Sequence, residues 1–211
     1  MKLTTAKGYG FFEATSAFQK AIRRGDETQA LYWMVEFYNS GYDGYLWKRM
    51  KIITSEDVGL AEPTMPATIQ ALFQSYNELK KEEDARVKSK GESNRPERMF
   101  LTHAVLLLCH CKKSRFVDWA LIKIWREHDH VKMEIPDWAY DMHNTKGKSM
   151  GRGLDHFYKE GTELVNHFIL PGEEMMRLKA KQLHEKYPGK LKFTADKRGN
   201  LSEQKGMFEG E

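Results

Sequence analysis

Lys146-Gly147-Lys148-Ser149 ends as a nucleotide loop ends, with backbone amides and a lysine placed to cradle phosphates. That loop also needs a glycine at position 142, where Met142 stands. It needs a buried strand ahead of it, and Ile135-Pro136-Asp137-Trp138-Ala139-Tyr140 is short and carries a proline. An ATP site is therefore not assigned. Three readings of the segment stay open. Asp141, His143, Asp155 and His156 are the residue types of a metal-dependent nuclease, without an established nuclease spacing. Gly147, Gly151 and Gly153 would let the backbone approach a phosphate while Lys146, Lys148 and Arg152 supply charge for nucleic acid. The third reading is a glycine-rich loop packed on a helical core with its lysines solvated. No catalytic residue, metal or cofactor is assigned.

Cys109 and Cys111 flank His110. Two cysteines so close on a helix point apart and cannot easily bridge. A zinc site normally needs about four ligands, and no second cluster lies at a suitable spacing. Both read as ordinary thiols of a reducing compartment. His103, His110, His128 and His130 read as structural or surface histidines.

These residues sit in a chain of 211 residues, 40% hydrophobic and 30% charged, with five Trp and eleven Phe. That composition is globular. The net charge of +4 and pI near 8.9 are compatible with nucleic acid without requiring it. No apolar run approaches the ~20 residues of a membrane span, and Met1-Lys2-Leu3-Thr4-Thr5 opens no signal peptide. A cytoplasmic protein with no membrane partner is expected.

Helical periodicity dominates. Residues 1–10 are expected as a loose arm. Helices are expected over about Phe12–Arg24, stopped by Gly25-Asp26, and over Glu27–Asn39, with Leu31, Met34, Val35 and Tyr38 as a buried stripe. A third helix starts near Leu46. Thr64 is placed to cap a fourth, with Pro66 in its first turn. Lys80 to Arg95 reads as a charged loop. Asn94-Arg95-Pro96-Glu97 reads as a capping box for the most apolar helix, Met99–Cys111, which is expected at the centre. Ser114 is placed to cap Arg115–His128, rich in Trp119, Ile122, Ile124 and Trp125. No alternating strand pattern stands out, so the class is all-α.

The stretch Trp47–Pro63 organises the rest. Its helix ends in Ser55-Glu56-Asp57, then Gly59 as a stop. Two carboxylates suit a helix C-terminus poorly, because the macrodipole is negative there. They should have basic partners, and Lys48, Arg49 and Lys51 are nearest. Ser16–Arg23, Ala30–Trp33 and Ile53–Pro63 together resemble, in order and spacing, the C-terminal region of one AAA+ ATPase family. It is the replication-associated recombination protein A family, also called MgsA, with the Werner-helicase-interacting protein as its eukaryotic member. Weaker echoes follow at Ile135-Pro136, Gly151–His156 and Leu170–Glu173.

The resemblance implies a clamp-loader-collar-like helical bundle in DNA replication, recombination or repair, with Ser55, Glu56, Asp57 and Gly59 as its signature. It implies a homo-oligomer, a tetramer in the family, and a collar without its ATPase motor or a piece of a longer chain. The expected division is an arm over 1–10, the collar-like domain over 11–187 and a flexible tail over 188–211. The tail ends in Gln204-Lys205-Gly206-Met207-Phe208, which resembles the sliding-clamp-binding pentapeptide through Gln204, Met207 and Phe208. The function read here is a non-catalytic oligomerisation and DNA-binding module. The alternatives are an adaptor for a sliding clamp or a separate ATPase, and a metal-dependent enzyme built on 137–156.

Overall fold

The structure is a computed structural model and describes residues 3–91, 94–187, 193–195 and 201–203, the last two stretches by backbone alone. The chain divides into two compact units, Met1–Met133 and Glu134–Glu211. The single body expected over 11–187 is thus divided between them. The fold is all-α, and no helix among the described residues is long and apolar enough to cross a membrane.

In the first unit, α1 (Phe11–Arg24) ends at Gly25, whose φ of 69° and whose N–H bonds to the carbonyls of Ala21 and Ile22 close the helix as expected. Asp26 caps α2 (Glu27–Asn39) by accepting from the Gln29 amide at 3.0 Å. α3 (Asp43–Ile53) runs into a π-turn, Thr54–Val58, then a 3₁₀ turn, Gly59–Ala61. α4 (Met65–Lys90) starts with Pro66 in its first turn, and no side chain caps it. It continues through most of the expected charged loop. Lys, Glu and Arg are good helix formers, and Glu83–Arg86 (2.7 Å) and Asp84–Arg95 (2.6 Å) pair the charges.

α5 (Arg98–His110) is central, packing against α1 to α4 with Leu101, Ala104, Val105 and Leu108 buried. The expected capping box is not formed. Glu97 is instead fully buried and accepts from the Tyr38 hydroxyl at 2.7 Å. Burial pushes the Cys109 thiol up to about 11, which leaves it protonated and unreactive. Both cysteines are free.

Two expectations about packing change. The buried face of α2 is Ala30, Met34, Glu36 and Phe37, while Val35 is exposed. Phe37 turns inward against Phe11 and Phe18, and Glu36 is buried because the Lys7 amide donates to it at 2.8 Å. That bond also corrects the loose arm. Leu3 to Gly10 fold into a tight turn, pinned further by Ala6 N–H to Ser40 Oγ (2.8 Å) and Tyr42 O–H to the Thr4 carbonyl (3.1 Å).

α6 (Phe116–His128) has no buried residue. It packs chiefly on the two turns that follow α3. The Ser114 hydroxyl accepts from the Phe116 amide at 3.2 Å, as its position suggested.

The second unit holds a 3₁₀ turn at Asp137–Ala139, α7 (Thr145–Ser149) and α8 (Leu154–His156), which runs into a π-turn at Phe157–Gly161. α9 (Glu173–Lys186) follows. Two strands, β1 (Phe193–Ala195) and β2 (Leu201–Glu203), pair antiparallel with Thr194 opposite Ser202. Three residues each are too few to register as alternation in the sequence, so this pair was not expected.

Candidate functional site

The signature Ser55-Glu56-Asp57 lies on the π-turn, where one extra residue widens the helix. Thr54 Oγ1 donates to the Lys51 carbonyl at 2.7 Å and anchors the turn's start. Asp57 is completely buried. Its Oδ1 lies 2.7 Å from Arg23 Nε, and its Oδ2 accepts from Gln19 Nε2 at 2.9 Å. Arg23 Nη2 also reaches Glu56 Oε1 at 3.2 Å. Arg49 Nη2 lies 3.5 Å from Glu56 Oε2 and donates to Gln19 Oε1. From the other side, Arg115 Nε stands 3.6 Å from Asp57 Oδ1 while its Nη2 pairs with Asp118. The Asp57 carbonyl accepts from the Ser114 amide at 3.0 Å.

Three guanidiniums thus surround two carboxylates at the junction of α1, α3 and α6. A buried charge is tolerable only when it is paired and hydrogen-bonded, and this arrangement meets both conditions. Asp57 has no solvent access, so its chemistry is structural. It brackets the start of α6 to the body.

Of the partners expected from proximity, Arg49 alone reaches the acidic pair. Lys51 places its ammonium 3.4 Å from the Phe73 ring centroid, a cation–π contact. Lys48 lines a shallow, mainly apolar groove with Ile52, Val117 and Leu121, beside exposed Ser55. The principal partners, Arg23 and Arg115, were missed. Arg23 was visible only as the last residue of the first resemblance block. Gly59 has φ 51° and ψ −127°. A Cβ there would lie 2.9 Å from Val117 Cγ2, so glycine permits both the turn and the approach of α6.

The second candidate lies within the second unit. Asn144 caps α7 by accepting from the Gly147 amide at 2.9 Å. A Cβ on Gly147 would collide with the backbone of Asp141, so this glycine serves a backbone approach inside the loop. Arg152 donates to the carbonyls of Asp137 (2.6 Å) and Tyr140 (2.8 Å) and pairs with the Asp137 carboxylate. It holds the loop together. The Lys146 ammonium sits 4.1 Å from the Tyr140 ring centroid, and Lys148 is exposed.

Asp141 Oδ2 and His143 Nδ1 lie 3.0 Å apart. The hydrogen bonds from the His143 side chain and amide hold the Asp141 carboxyl below its usual range. Asp155 is drawn instead to Lys181 at 3.0 Å. Among the described residues no group of three or more His, Cys, Asp or Glu is arranged to hold a metal ion. Gln204, Met207 and Phe208 lie outside the described residues.

Residues 25–194 match the family described as MgsA AAA+ ATPase C terminal. The chain is similar to replication-associated recombination protein A of Bacillus subtilis, 27% identical over 153 residues. That is 72% of this chain and 33% of the relative, so the chain spans about a third of that protein's length. It is also similar to ATPase WRNIP1 of Dictyostelium discoideum, 36% identical over 66 residues, 30% of this chain and 8% of the relative.

Proposed function

Because this chain belongs to the MgsA AAA+ ATPase C-terminal family, we propose that it is a non-catalytic module that brings copies of itself together on DNA during replication, recombination or repair. The observation that carries this reading is which part of an ATPase is matched. The match falls on a C-terminal region, and the Gly147-Lys148-Ser149 segment is a capped helical turn in place of a phosphate loop. Such a region can hold subunits together and leave nucleotide chemistry to another domain or chain. A collar-like assembly of four copies in the cytoplasm is the form the family resemblance favours.

Light scattering of the full chain at tens of micromolar tests the assembly, and anisotropy with labelled single- and double-stranded DNA tests the binding. Concentration-dependent mass and salt-sensitive anisotropy are expected. A monomer that ignores both DNA forms would overturn the reading.

A second reading, an adaptor without DNA contact, rests on the pentapeptide Gln204–Phe208. Met207 and Phe208 would enter an apolar pocket on a sliding clamp while Gln204 bonds at its rim. A peptide covering Leu201–Glu211 should bind a bacterial clamp in the micromolar range and lose binding on M207A/F208A.

A further inference from the structure

Within the second unit, the π-turn Phe157–Gly161 and one stripe of α9 enclose a cleft of about 400 Å³, a space of ligand size. Its lining is Asp155, Tyr158, Lys159, Arg177, Leu178 and Lys181, three cations against one carboxylate. Local structure sets this out. Phe157 packs its ring edge-on to His143, with centroids 4.7 Å apart, and anchors the turn. The next two residues, Tyr158 and Lys159, then line the cleft. On α9, Arg177 and Lys181 are one turn apart on the same side of the helix, with Leu178 beside them.

Each cation has an acidic neighbour, and each neighbour is open to water. Lys181 lies 3.0 Å from Asp155, whose side chain is 92% exposed. Arg177 gives Nε and Nη2 to Glu174, which is 64% exposed. Lys159 stands 3.7 Å from Glu160, which is 44% exposed. Solvated pairs of this kind contribute little, so a phosphate can compete with them. An ammonium has three N–H donors and a guanidinium five, so each cation also keeps donors to spare. Tyr158 supplies a second kind of contact. Its hydroxyl lies 2.8 Å from His184 Nδ1, one turn beyond Lys181, and that bond fixes the ring at the cleft wall. A fixed aromatic ring beside cations can stack an unpaired base while the cations take the backbone.

We propose that this cleft holds one nucleotide of a single-stranded nucleic acid, with Lys159, Arg177 and Lys181 on its flanking phosphates and Tyr158 stacked on its base. The inference rests on the DNA-binding reading above and names the strand type and the surface. A duplex offers phosphates but keeps its base faces stacked, so single strands are favoured. Asp155 faces the same space, repels a phosphate and holds Lys181, so it restrains the affinity.

The test uses the full chain in fluorescence anisotropy with a labelled oligothymidylate and the same strand in duplex, with circular dichroism to verify helix content. K159A/K181A should lower the slope of log affinity against log salt by about 1.4 units, at ~0.7 per phosphate contact on a single strand. Y158A should weaken single-strand binding about tenfold at every salt concentration with its slope unchanged, and Y158F should retain binding. D155N should bind several-fold more tightly, a gain that misfolding does not produce. If the wild type binds neither form of DNA, the DNA-binding reading itself fails. If the wild type binds but K159A/K181A, Y158A and D155N all bind as it does, the strand lies elsewhere and this inference alone is overturned.

Discussion

Arg23 and Asp57 meet 2.7 Å apart, Nε to Oδ1, with the carboxylate wholly buried and the guanidinium open at one edge. The pair joins residues 34 positions apart in sequence. Removing one partner from a buried pair leaves the other uncompensated, which typically costs ~3–5 kcal/mol. D57N retains the shape and loses the charge, leaving three arginines around one carboxylate. Urea unfolding of D57N should show a loss in that range, with R23Q losing less because Arg23 is partly solvated. A double-mutant cycle should give a coupling above ~1 kcal/mol. Additive losses would mean that the two residues act separately.

Gly59 offers a test of the turn itself. At φ 51° and ψ −127° an L-residue is strained, by ~1–3 kcal/mol, and its Cβ also meets Val117. G59A should destabilise by that amount. Adding V117A should recover part of the loss, because it relieves the contact but not the backbone. Full recovery would show that the backbone conformation costs nothing.

A third prediction concerns acid. The Tyr76 hydroxyl donates to Asp43 Oδ2 at 2.8 Å, and Lys80 pairs with the same oxygen. Burial raises the Asp43 carboxyl, but the bonds from Lys80 and Tyr76 outweigh it and hold the group below its ordinary range. The same burial, with Asp43 accepting the hydrogen bond of its hydroxyl, keeps the Tyr76 phenol protonated well above its usual value. A carboxylate depressed in the folded state stabilises above its unfolded pKa of ~3.9 and loses that contribution as pH falls through the folded value. The wild type should therefore lose stability more steeply than D43N as pH falls below about 4. Equal acid slopes in urea titrations would remove Asp43 from the account.

How much of this could be read beforehand follows the range of each interaction. Gly25 and Asp26 act on their own helix ends, so the α1–α2 junction was legible. The apolar density of Leu101 to Leu108 announced a central helix. The partners of Glu56 and Asp57 were misjudged because a contact between α1 and a turn after α3 leaves no trace in local spacing. Periodicity also cannot say what covers an apolar face. Trp119 and Ile122 look like core residues in sequence and are exposed in the fold. Arg152, read as a phosphate ligand, spends its donors on two carbonyls and a carboxylate, an outcome that residue type alone cannot foretell.

Arg152 and Lys148 therefore separate two roles within one loop. Arg152 closes the turn between Asp137 and Tyr140, and its side chain is only 15% exposed. Lys148 is free to reach solvent, and Lys146 can swing from the Tyr140 ring. If the loop contacts DNA phosphates, K146A/K148A should weaken binding for all sequences alike. The slope of log affinity against log salt should fall by about one unit per lost contact, so by about two. Helix content and unfolding midpoint should stay unchanged, since neither lysine holds the fold. R152A should behave differently. It leaves the Asp137 and Tyr140 carbonyls without their donor, so protease sensitivity around 137–153 should rise whether or not DNA is present. Anisotropy titrations at four salt concentrations, paired with limited proteolysis, read both effects. An unchanged salt slope in K146A/K148A would remove the loop from the DNA-binding surface, and a protease-resistant R152A would remove Arg152 from its structural role.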